Sequence, residues 1–454
     1  MKNVFAIFKL LIFYSSFLIL TGCSIEKKIS KSATQLVLKD SSLTTAHVGI
    51  SIYEPATNKY WFNYQGDHYF VPASNTKIPT CYAAMKYLGD SLVGLRYDGS
   101  NEGINIVGTG DPTFLHPDFK NQSVFDFLKR SGNVNYLLDG TPPGFSPLGN
   151  GWAWNDFLGD YAAERSVMPI YGNVVKFYMA ADTIAVMPSA FFNSNLLHTN
   201  TSLRNRVKPL FRIVRNFESN FFHPLFGFNR SGFSSQSVPF KTISPIDPPG
   251  RNQTFLKLLE DTLHKKMGEW GYVDAMPVLK NIIHSQPTDS LLKPMMHRSD
   301  NFFAEQSLLM VSNELLGIMS DERIIDTLLK TDFKDLPQKP RWADGSGLSR
   351  YNLFTPQDFV AIFNKMKNEF GMDRIKNIFP TGNEGTLNNY YKAESGWLFG
   401  KTGSLSGVVA LSGFLYTKKN KLLVFSVLVN NHNASATAVR RAVEKFIEGL
   451  REKY

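Results

Sequence analysis

Cysteine and charged residues are scarce in this sequence. Only two of its 454 residues are cysteine and 19% are charged, whereas 43% are hydrophobic. Neither the cysteines nor the nine scattered histidines form a CxxC or His-rich pattern with metal-ligand spacing, so we expect no metal and no cofactor. There is also no heptad pattern, no G-X-Y period and no repeat of about 20 to 50 residues. These absences exclude coiled-coil, collagen-like and solenoid proteins and leave a globular chain.

The hydrophobic run that matters for targeting lies at the N-terminus. Lys2 and Lys9 precede an apolar run over residues 10–20, which is typical of a secretory signal and too short to span a bilayer. The run ends in LTGC at Cys23, which resembles the lipobox of bacterial lipoproteins. The sequence therefore predicts a signal peptide over residues 1–22, acylation of Cys23, and export to a membrane surface facing the periplasm or cell wall. An ordinary signal peptide with an accidental cysteine is the alternative.

The predicted export limits which disulfides can form and which kinds of partner the protein can meet. With Cys23 acylated, Cys81 has no cysteine to pair with, so we expect no internal disulfide. The net charge of +10 falls to +8 when residues 1–22 are removed, because they contain two lysines and no acid. A basic exported protein suits anionic partners such as membrane surfaces or cell-wall polymers. No nucleic-acid-binding motif is present, and we expect no nucleic-acid partner.

Apolar patterning predicts strands at both ends of an α/β chain. After a helix over residues 29–39, the segments HVGISIYEP and KYWFNYQG have the composition of a β-hairpin. Residues 74–88 carry apolar side chains at helical spacing. Near the C-terminus, GVVALSGFLYT and LLVFSVLVNN predict two strands before a helix over residues 434–451. We therefore expect both ends to share one antiparallel sheet flanked by helices.

The middle of the chain has a different character. Residues 90–275 are rich in loops and aromatic side chains, including a Phe/Asn/Arg/Ser-rich tract over residues 191–235. A length of 454 residues exceeds one ordinary core. We therefore predict a large, mostly β inserted domain over residues 90–275 within a catalytic domain of residues 23–89 and 276–454. The aromatic tract is interpreted as loop packing, with a glycan or partner surface as the alternative.

A serine and a lysine lie three residues apart in the stretch VPASNTKIPT. Ser74 is a weak nucleophile unless a base lies close by, and positions three apart share one face of a helix. The amine of Lys77 serves as that base only when neutral, which requires a lowered pKa. SxxK alone is weak, since a chain of this length contains roughly one or two by chance. Solvated residues at a helix start are the alternative for this pair.

Two later motifs distinguish Ser74 from other SxxK matches. Ser299-Asp300-Asn301 supplies a second hydroxyl and an amide, and Lys401-Thr402-Gly403 is the only KTG in the chain. Ser24/Lys27 lies in a predicted tether beside the lipid anchor, and Ser290/Lys293 precedes Pro294 in a helix-like run with no predicted strand before it. The SxN at residues 131–133 has the composition of a turn. The order SxxK, SxN, KTG therefore indicates one serine-based active site.

These three motifs resemble those of penicillin-recognising serine enzymes. Longer blocks are similar to the class C low-molecular-mass penicillin-binding proteins, the D-alanyl-D-alanine carboxypeptidase/endopeptidases, from about residue 40 to the C-terminus. The blocks are GTGDPTF, GWAWNDF, YAAERSVMPIYGN, SDNFFAEQ, DGSGLSRYNLFTP, EGTL and KTGSLSGVVALSGF. The resemblance implies a β-lactamase/transpeptidase-like catalytic domain with a large insert between SxxK and SxN. It also implies peptidoglycan stem peptides as substrates and β-lactam antibiotics as covalent inhibitors.

The resemblance assigns a role to each motif residue. Ser74 would attack the carbonyl between two D-alanines and form an acyl-enzyme, while Lys77 takes its proton. Ser299 would relay a proton to the departing amine, and Asn301 would hold Lys77 or the substrate amide. Lys401 would help to keep Lys77 neutral.

Other residues would bind the substrate. Thr402, with the lysine before it, would bind the terminal carboxylate, and Gly403 would allow close approach of the backbone. The backbone N–H of Ser404 would join that of the nucleophile in the oxyanion hole. Arg350, and Asp139 as a further candidate, would receive the diamino-acid side chain. The stretched segment DGTPPGF at Asp139, and a serine after KTGSL where some relatives have glutamine, leave this preference open.

Two neighbours of the motifs have structural interpretations. Asp300 is expected to bond neighbouring backbone, and Cys81 to be a buried small apolar residue rather than a reactive thiol.

Two other functions are alternatives. Glu384 begins an ExxLN sequence like the one that activates deacylating water in class A β-lactamases, but it lies 17 residues before Lys401, and its EGTL matches the carboxypeptidase blocks. A catalytically silent wall-binding scaffold is the second alternative, although every motif residue is intact. The sequence leaves open whether the protein forms a homodimer and whether it trims terminal D-alanine, cuts cross-links or does both.

Overall fold

The computed structural model describes residues 25–100, 102–136, 145–180, 183–193, 196, 211–226, 233–243, 253–269 and 279–454. Its strands are β1 (His47–Glu54), β2 (Lys59–Tyr64), β3 (Ser91–Ser100), β4 (Gly103–Val107), β5 (Asn133–Tyr136), β6 (Val174–Ala180), β7 (Thr183–Met187), β8 (Phe211–Arg215), β9 (Phe222–Phe226), β10 (Ser235–Pro239), β11 (Gly268–Glu269), β12 (Asn281–Pro287), β13 (Leu398–Leu405), β14 (Val408–Tyr416) and β15 (Leu422–Asn430). Its α-helices are α1 (Lys77–Tyr87), α2 (Ser123–Arg130), α3 (Gln253–Leu263), α4 (Thr288–His297), α5 (Asn301–Leu316), α6 (Asp321–Lys330), α7 (Pro356–Ile378) and α8 (Ala436–Lys453).

Strands from both ends of the chain form one five-stranded sheet in the order β13-β14-β15-β1-β2. All four neighbouring pairs are antiparallel, and Ile50 of β1 pairs with Val427 of β15. The expectation that the N-terminal hairpin and the C-terminal strands share a sheet is therefore confirmed. The sheet also contains β13, with the KTG motif, as an edge strand, which leaves one side of its backbone open to a ligand.

Helices cover both faces of this sheet. Alternate side chains of β15 divide between two cores, with Val424 and Leu428 on the face of α1, α4, α5 and α7, and Phe425 and Val427 on the other. Residues 25–33, which are helical, the π-helical turn Thr34–Leu38 and α8 pack on that second face. Burial of each such side chain contributes about 1.5–3 kcal/mol. The α/β, β-lactamase/transpeptidase-like architecture is thus confirmed.

Helix α1 lies in the middle of the helical layer. Every side chain from Lys77 to Met85 is buried, as expected of a helix enclosed on all sides. Pro79 is the third residue of the helix, where its missing N–H removes no intrahelical hydrogen bond. Cys81 is fully buried and burial raises the pKa of its thiol, which confirms its interpretation as a core residue.

The strands between Ser91 and Pro287 form three further sheets, in the orders β11-β5-β4-β3-β12, β10-β6-β7 and β8-β9. Phe177, Phe211 and Phe222 are fully buried in their shared core. The described part of the aromatic tract therefore contributes to packing. Strand β12 pairs with β3 beyond the predicted limit at residue 275, and the domain limits at 90 and 275 stay a prediction.

Two predicted functional residues lie outside the described residues. These are Cys23, with the whole signal peptide, and Asp139. Within the described ranges, no helix has the length and apolar character needed to cross a membrane, and no group of three potential ligands is arranged to hold a metal ion.

Candidate active site

Ser74 lies in a single 3₁₀ turn (Ala73–Thr76) that leads directly into α1. Ala73 adopts a left-handed conformation with φ of +48°, which turns the extended chain sharply into the helix. The side chain of Asn430 on β15 holds the approach to the turn through two hydrogen bonds with the backbone of Val71, at 2.8 and 3.0 Å. Asn75 donates to Ser412 on β14 at 2.7 Å. The turn is therefore fixed directly to the central sheet.

Lys77 is fully buried and faces three oxygen atoms. Its Nζ lies 3.1 Å from Ser74 Oγ, 2.6 Å from Asn301 Oδ1 and 2.7 Å from the carbonyl oxygen of Ser346. Asn301 Nδ2 donates to the carbonyl of Tyr161 at 2.9 Å, which orients the amide oxygen toward the lysine. A neutral amine has two N–H donors for the two fixed acceptors and one lone pair left for the hydroxyl of Ser74.

Burial determines the protonation of Lys77. Removal from water lowers its pKa to about 8, although the negative charges of Asp344, Asp300 and Glu305 oppose that decrease. The resemblance implies that Lys401 helps to keep Lys77 neutral. Burial and the charge of Lys77 lower the pKa of Lys401 well below its usual range, so the two amines lie close enough to interact, and desolvation is the larger cause at both.

The second hydroxyl of the site belongs to Ser299. The Nζ of Lys401 donates to Ser299 Oγ at 2.9 Å and to the carbonyl of Thr402 at 2.7 Å. Ser299 has φ of +63°, in the left-handed region that non-glycine residues rarely occupy. Asp300 then caps α5 by accepting a hydrogen bond from the backbone of Phe303 at 3.0 Å, which confirms its structural interpretation.

Strand β13 passes directly over Ser74. A Cβ placed on Gly403 would lie 2.6 Å from the carbonyl of Pro72 and 3.1 Å from the backbone nitrogen of Ser74. Gly400 N–H points away from β14, toward the carbonyl of Pro380 at 3.1 Å. Because amide direction alternates along a strand, the N–H of Ser404 also points to the open edge beside Ser74.

A loop of residues 344–349, which belongs to none of the three motifs, packs against Lys77. Asp344 is fully buried and accepts hydrogen bonds from the backbones of Gly347 at 2.8 Å and Ser349 at 2.7 Å. Glu305 accepts from Ser346 N at 2.8 Å, and burial, with the nearby charge of Asp344, raises its pKa to about 7. The loop therefore aims the Ser346 carbonyl at the amine of Lys77. The sequence block DGSGLSRYN indicated this loop, but not its contact with Lys77.

The outer residues of the site occupy different positions. Thr402 Oγ1 contacts Thr386 Oγ1 at 2.7 Å, whereas the exposed Arg350 donates to the carbonyl of Ser406 at 2.8 Å. The structure thus places Arg350 beside the end of β13.

The competing motifs lie elsewhere. The expectation that no strand precedes Ser290 is wrong, because β12 leads directly into α4, but Ser290 and Lys293 are both exposed on that helix. Glu384 is exposed at the start of a short turn, and the residue of its motif that reaches the site is Thr386.

Comparisons with known proteins extend over most of the chain. A family described as the D-Ala-D-Ala carboxypeptidase 3 (S13) family matches residues 31–207 and 270–451. A D-alanyl-D-alanine carboxypeptidase of Actinomadura sp. (strain R39) is 24% identical over 90% of this chain and 82% of its own. The carboxypeptidase DacB of Mycolicibacterium smegmatis is 30% identical, but over 33% of this chain and 35% of its own. Penicillin binding protein 4 (dacB) of Haemophilus influenzae has the same fold, with TM-score 0.68, 19% identity and coverage of 93% and 98%.

Proposed function

Because the chain belongs to the D-Ala-D-Ala carboxypeptidase 3 (S13) family, we propose that Ser74 is the nucleophile of its peptidase reaction. The protein is a low-molecular-mass penicillin-binding protein and a serine D-Ala-D-Ala carboxypeptidase that acts on peptidoglycan stem peptides. The observation that carries the assignment of Ser74 is the contact between its Oγ and Lys77 Nζ. The two N–H groups of the neutral amine are taken up by the oxygens of Asn301 and Ser346, so its lone pair is left for the Ser74 hydroxyl.

Acylation begins with proton transfer from Ser74 to Lys77. The neutral amine accepts the hydroxyl proton while Oγ attacks the carbonyl carbon of the penultimate D-alanine. The carbonyl oxygen gains negative charge, and the N–H groups of Ser74 and Ser404 donate to it. Loss of one such donor typically reduces the rate about 10²- to 10³-fold. The contact between Gly403 and the Ser74 backbone supports this arrangement, because it brings the two N–H groups to one side of the nucleophile.

Collapse of the tetrahedral intermediate expels the terminal D-alanine. Its amine requires a proton, which Ser299 supplies from its hydroxyl while Lys401 replenishes it. The hydrogen bond between Lys401 and Ser299 supports this relay. Water then attacks the acyl-enzyme carbonyl, and Lys401, left neutral by the first step, takes one proton of the water through Ser299. Protonated Lys77 returns its proton to Ser74 Oγ as the acyl bond breaks, which restores the Ser74 hydroxyl and both lysines and releases the shortened stem peptide.

Covalent labelling tests the nucleophile. Wild-type protein should take up a fluorescent penicillin on one serine, and Ser74→Ala should take up none. Ser290→Ala is the matched control, because Ser290 is an exposed serine in a second SxxK sequence and its loss should leave labelling intact. Labelling of Ser74→Ala, or a wild type without label as a silent scaffold would show, would contradict the assignment.

The rate of penicillin release separates a peptidase from a β-lactamase. The family match favours slow deacylation, and the exposed Glu384 is not seen to contact the catalytic groups among the described residues. A labelled complex that persists over many peptide turnovers would agree with this function, whereas rapid release would support the rival.

Arg350 and Asp139 are proposed to bind the diamino-acid side chain of the stem peptide. The guanidinium of Arg350 lies at the end of β13 and bonds a carbonyl rather than a carboxylate, so it retains donors for an anionic group. Mass spectrometry of muropeptides digested by wild type and Arg350→Ala should show selective loss of activity on the peptide with a carboxylate in that side chain. The same spectra would measure the ratio of D-alanine trimming to cross-link cleavage.

The protein is further proposed to be an exported lipoprotein held through acylated Cys23. The lipobox-like sequence supports this proposal. Replacement of Cys23 by alanine should move the protein from the membrane to the soluble exported fraction and remove a lipid-dependent mass. Unchanged membrane association would contradict it.

A further inference from the structure

Strand β13 presents two hydroxyl groups on the face opposite its catalytic groups. Side chains alternate along a strand, so Lys401 and Gly403 face Ser299 and Ser74 while Thr402 and Ser404 face away from them. The Ser404 side chain is exposed. The hydroxyls at 402 and 404 therefore form a polar edge directly beside the oxyanion position.

Arg440 of α8 reaches this edge. Its Nη2 donates to Ser404 Oγ at 2.6 Å, although the two residues are 36 positions apart. The guanidinium carbon lies 5.9 Å from the centre of the Tyr390 ring. Arg440, Tyr390, Thr402 and Thr386 line one small pocket under the strand. The side chain is therefore oriented toward the site by two separate contacts.

The charge of Arg440 has no carboxylate partner among the residues that the structure describes. Its neighbours on α8 are paired, Arg441 with Glu444 and Arg451 with Glu452 at 3.7 Å. The contact of Arg440 within hydrogen-bonding distance is a neutral hydroxyl. Since a guanidinium has five N–H donors in a planar fork, several remain for a second oxygen-bearing group. A planar carboxylate matches that fork.

We propose that Arg440 binds the carboxylate of the substrate's C-terminal D-alanine, together with the hydroxyls of Thr402 and Ser404. This inference rests on the proposed function, which places the scissile carbonyl at the N–H groups of Ser74 and Ser404. The carboxylate belongs to the next residue, about 3.8 Å further along the peptide by Cα spacing. That spacing is on the scale of the rise of about 3.3 Å per residue along β13, the strand that carries the Ser404 N–H and both hydroxyls. Arg440 thereby selects substrates with a free C-terminus.

Two substrates that differ only at the terminus test this role. The first is an N-acylated tripeptide ending in D-Ala-D-Ala with a free carboxylate, and the second is the same peptide with a C-terminal carboxamide. Arg440→Gln in the full-length protein should lower kcat/KM on the free acid about 10- to 100-fold, as expected for loss of a hydrogen bond to a charged group. The loss should appear mainly in KM, because the carboxylate is bound before and during the reaction. Activity on the carboxamide should change less than about twofold.

Lys445→Gln is the matched control, because this exposed cation lies on the same helix and its charge acts on Asp40 rather than on the site. It should leave both substrates unaffected. Arg440→Lys retains the charge without the planar fork, so its kcat/KM on the free acid should fall less than that of Arg440→Gln. Thermal unfolding shows whether each variant folds. If Arg440→Gln does not fold, Arg440→Lys takes its place in the comparison of the two substrates.

Each outcome decides the inference. Selective loss on the free acid supports it. Equal loss on both substrates would show that Arg440 only positions β13, and no loss would show that Arg440 does not contact the substrate, so either result overturns it. Failure of the proposed function is distinct, because Ser74→Ala would then retain activity on both peptides whatever Arg440 does.

Discussion

The two walls of the active site differ in the groups that lie next to their positively charged side chains. The helix wall consists of residues 74–77, Asn301 and the loop of residues 344–347, and its lysine is backed by the buried carboxylates of Asp344 and Glu305. The strand wall consists of residues 401–404. Its nearby arginines contact a carbonyl and a hydroxyl instead of carboxylates.

This difference separates two tasks. Carboxylates behind Lys77 moderate the decrease in its pKa, which is lowered to about 8, and this value suits its proposed role as a base that exchanges protons near neutral pH. The two arginines near the strand wall have no carboxylate partner within the described part of the chain, and they keep a positive potential for an anionic peptide. The following predictions test the division, in order of decreasing effect.

Loss of the lysine should disable the helix wall. Lys77→Met retains a long buried side chain without the amine, so acylation of Ser74 should slow about 10³-fold, within the range for loss of a general base. The measurement is the rate of D-alanine release together with penicillin labelling. Lys293→Met, an exposed lysine of the second SxxK sequence, is the control and should be silent. Activity of Lys77→Met within tenfold of wild type would contradict the assignment of the base.

Separation of the two walls should be nearly as damaging. The added Cβ of Gly403→Ala would lie 2.6 Å from the Pro72 carbonyl, so β13 must move away from the nucleophile. A displacement on that scale can reduce kcat about 10²-fold. Gly449→Ala on α8 is the control, since its Cβ would meet no atom within 4 Å, and it should preserve kcat. Wild-type turnover by Gly403→Ala would show that close approach of the walls is unnecessary.

Activity should fall at acidic pH because the amine of Lys77 becomes protonated. The amine accepts a proton only when neutral, and its pKa is lowered to about 8, so the neutral fraction rises with pH through that value. Between pH 8 and pH 6 the neutral fraction falls about 50-fold, and kcat/KM should fall with it. Thermal unfolding at each pH would show that the fold persists. A rate that is constant from pH 9 to pH 5 would rule out the lysine as base.

The smallest effect concerns the acid behind the helix wall. Glu305 raises the pKa of Lys77 by its charge, and its own pKa of about 7 means that it is ionised where Lys77 titrates. Glu305→Gln retains an oxygen for the Ser346 N–H and should shift the acid limb of the rate profile to lower pH. Asp326→Asn, which removes an exposed acid paired with Lys330, is the control. A midpoint that stays in place or rises would show that this carboxylate does not influence the base.

Sequence patterns predicted those strands and helices whose residues within a short segment already have a clear apolar pattern. Short apolar segments predicted β1, β2, β14 and β15, and their common sheet is confirmed. The edge strand β13 was not predicted, because LFGKTGSL contains two glycines and a buried lysine, which weaken its apolar pattern. Within the site, the spacing of Ser74 and Lys77 was informative because it places both on one helical face.

By itself, the sequence determined the family, the order of the three motifs and the chemistry available to them, because those depend on side-chain identity over short spacings. Only the tertiary structure decided which backbone carbonyl holds Lys77, that burial is the largest cause of its lowered pKa, and that Arg440 reaches Ser404. Carbonyl groups are the same in every residue, and desolvation depends on all surrounding atoms together. Neither can be inferred from the spacing of residues along the chain.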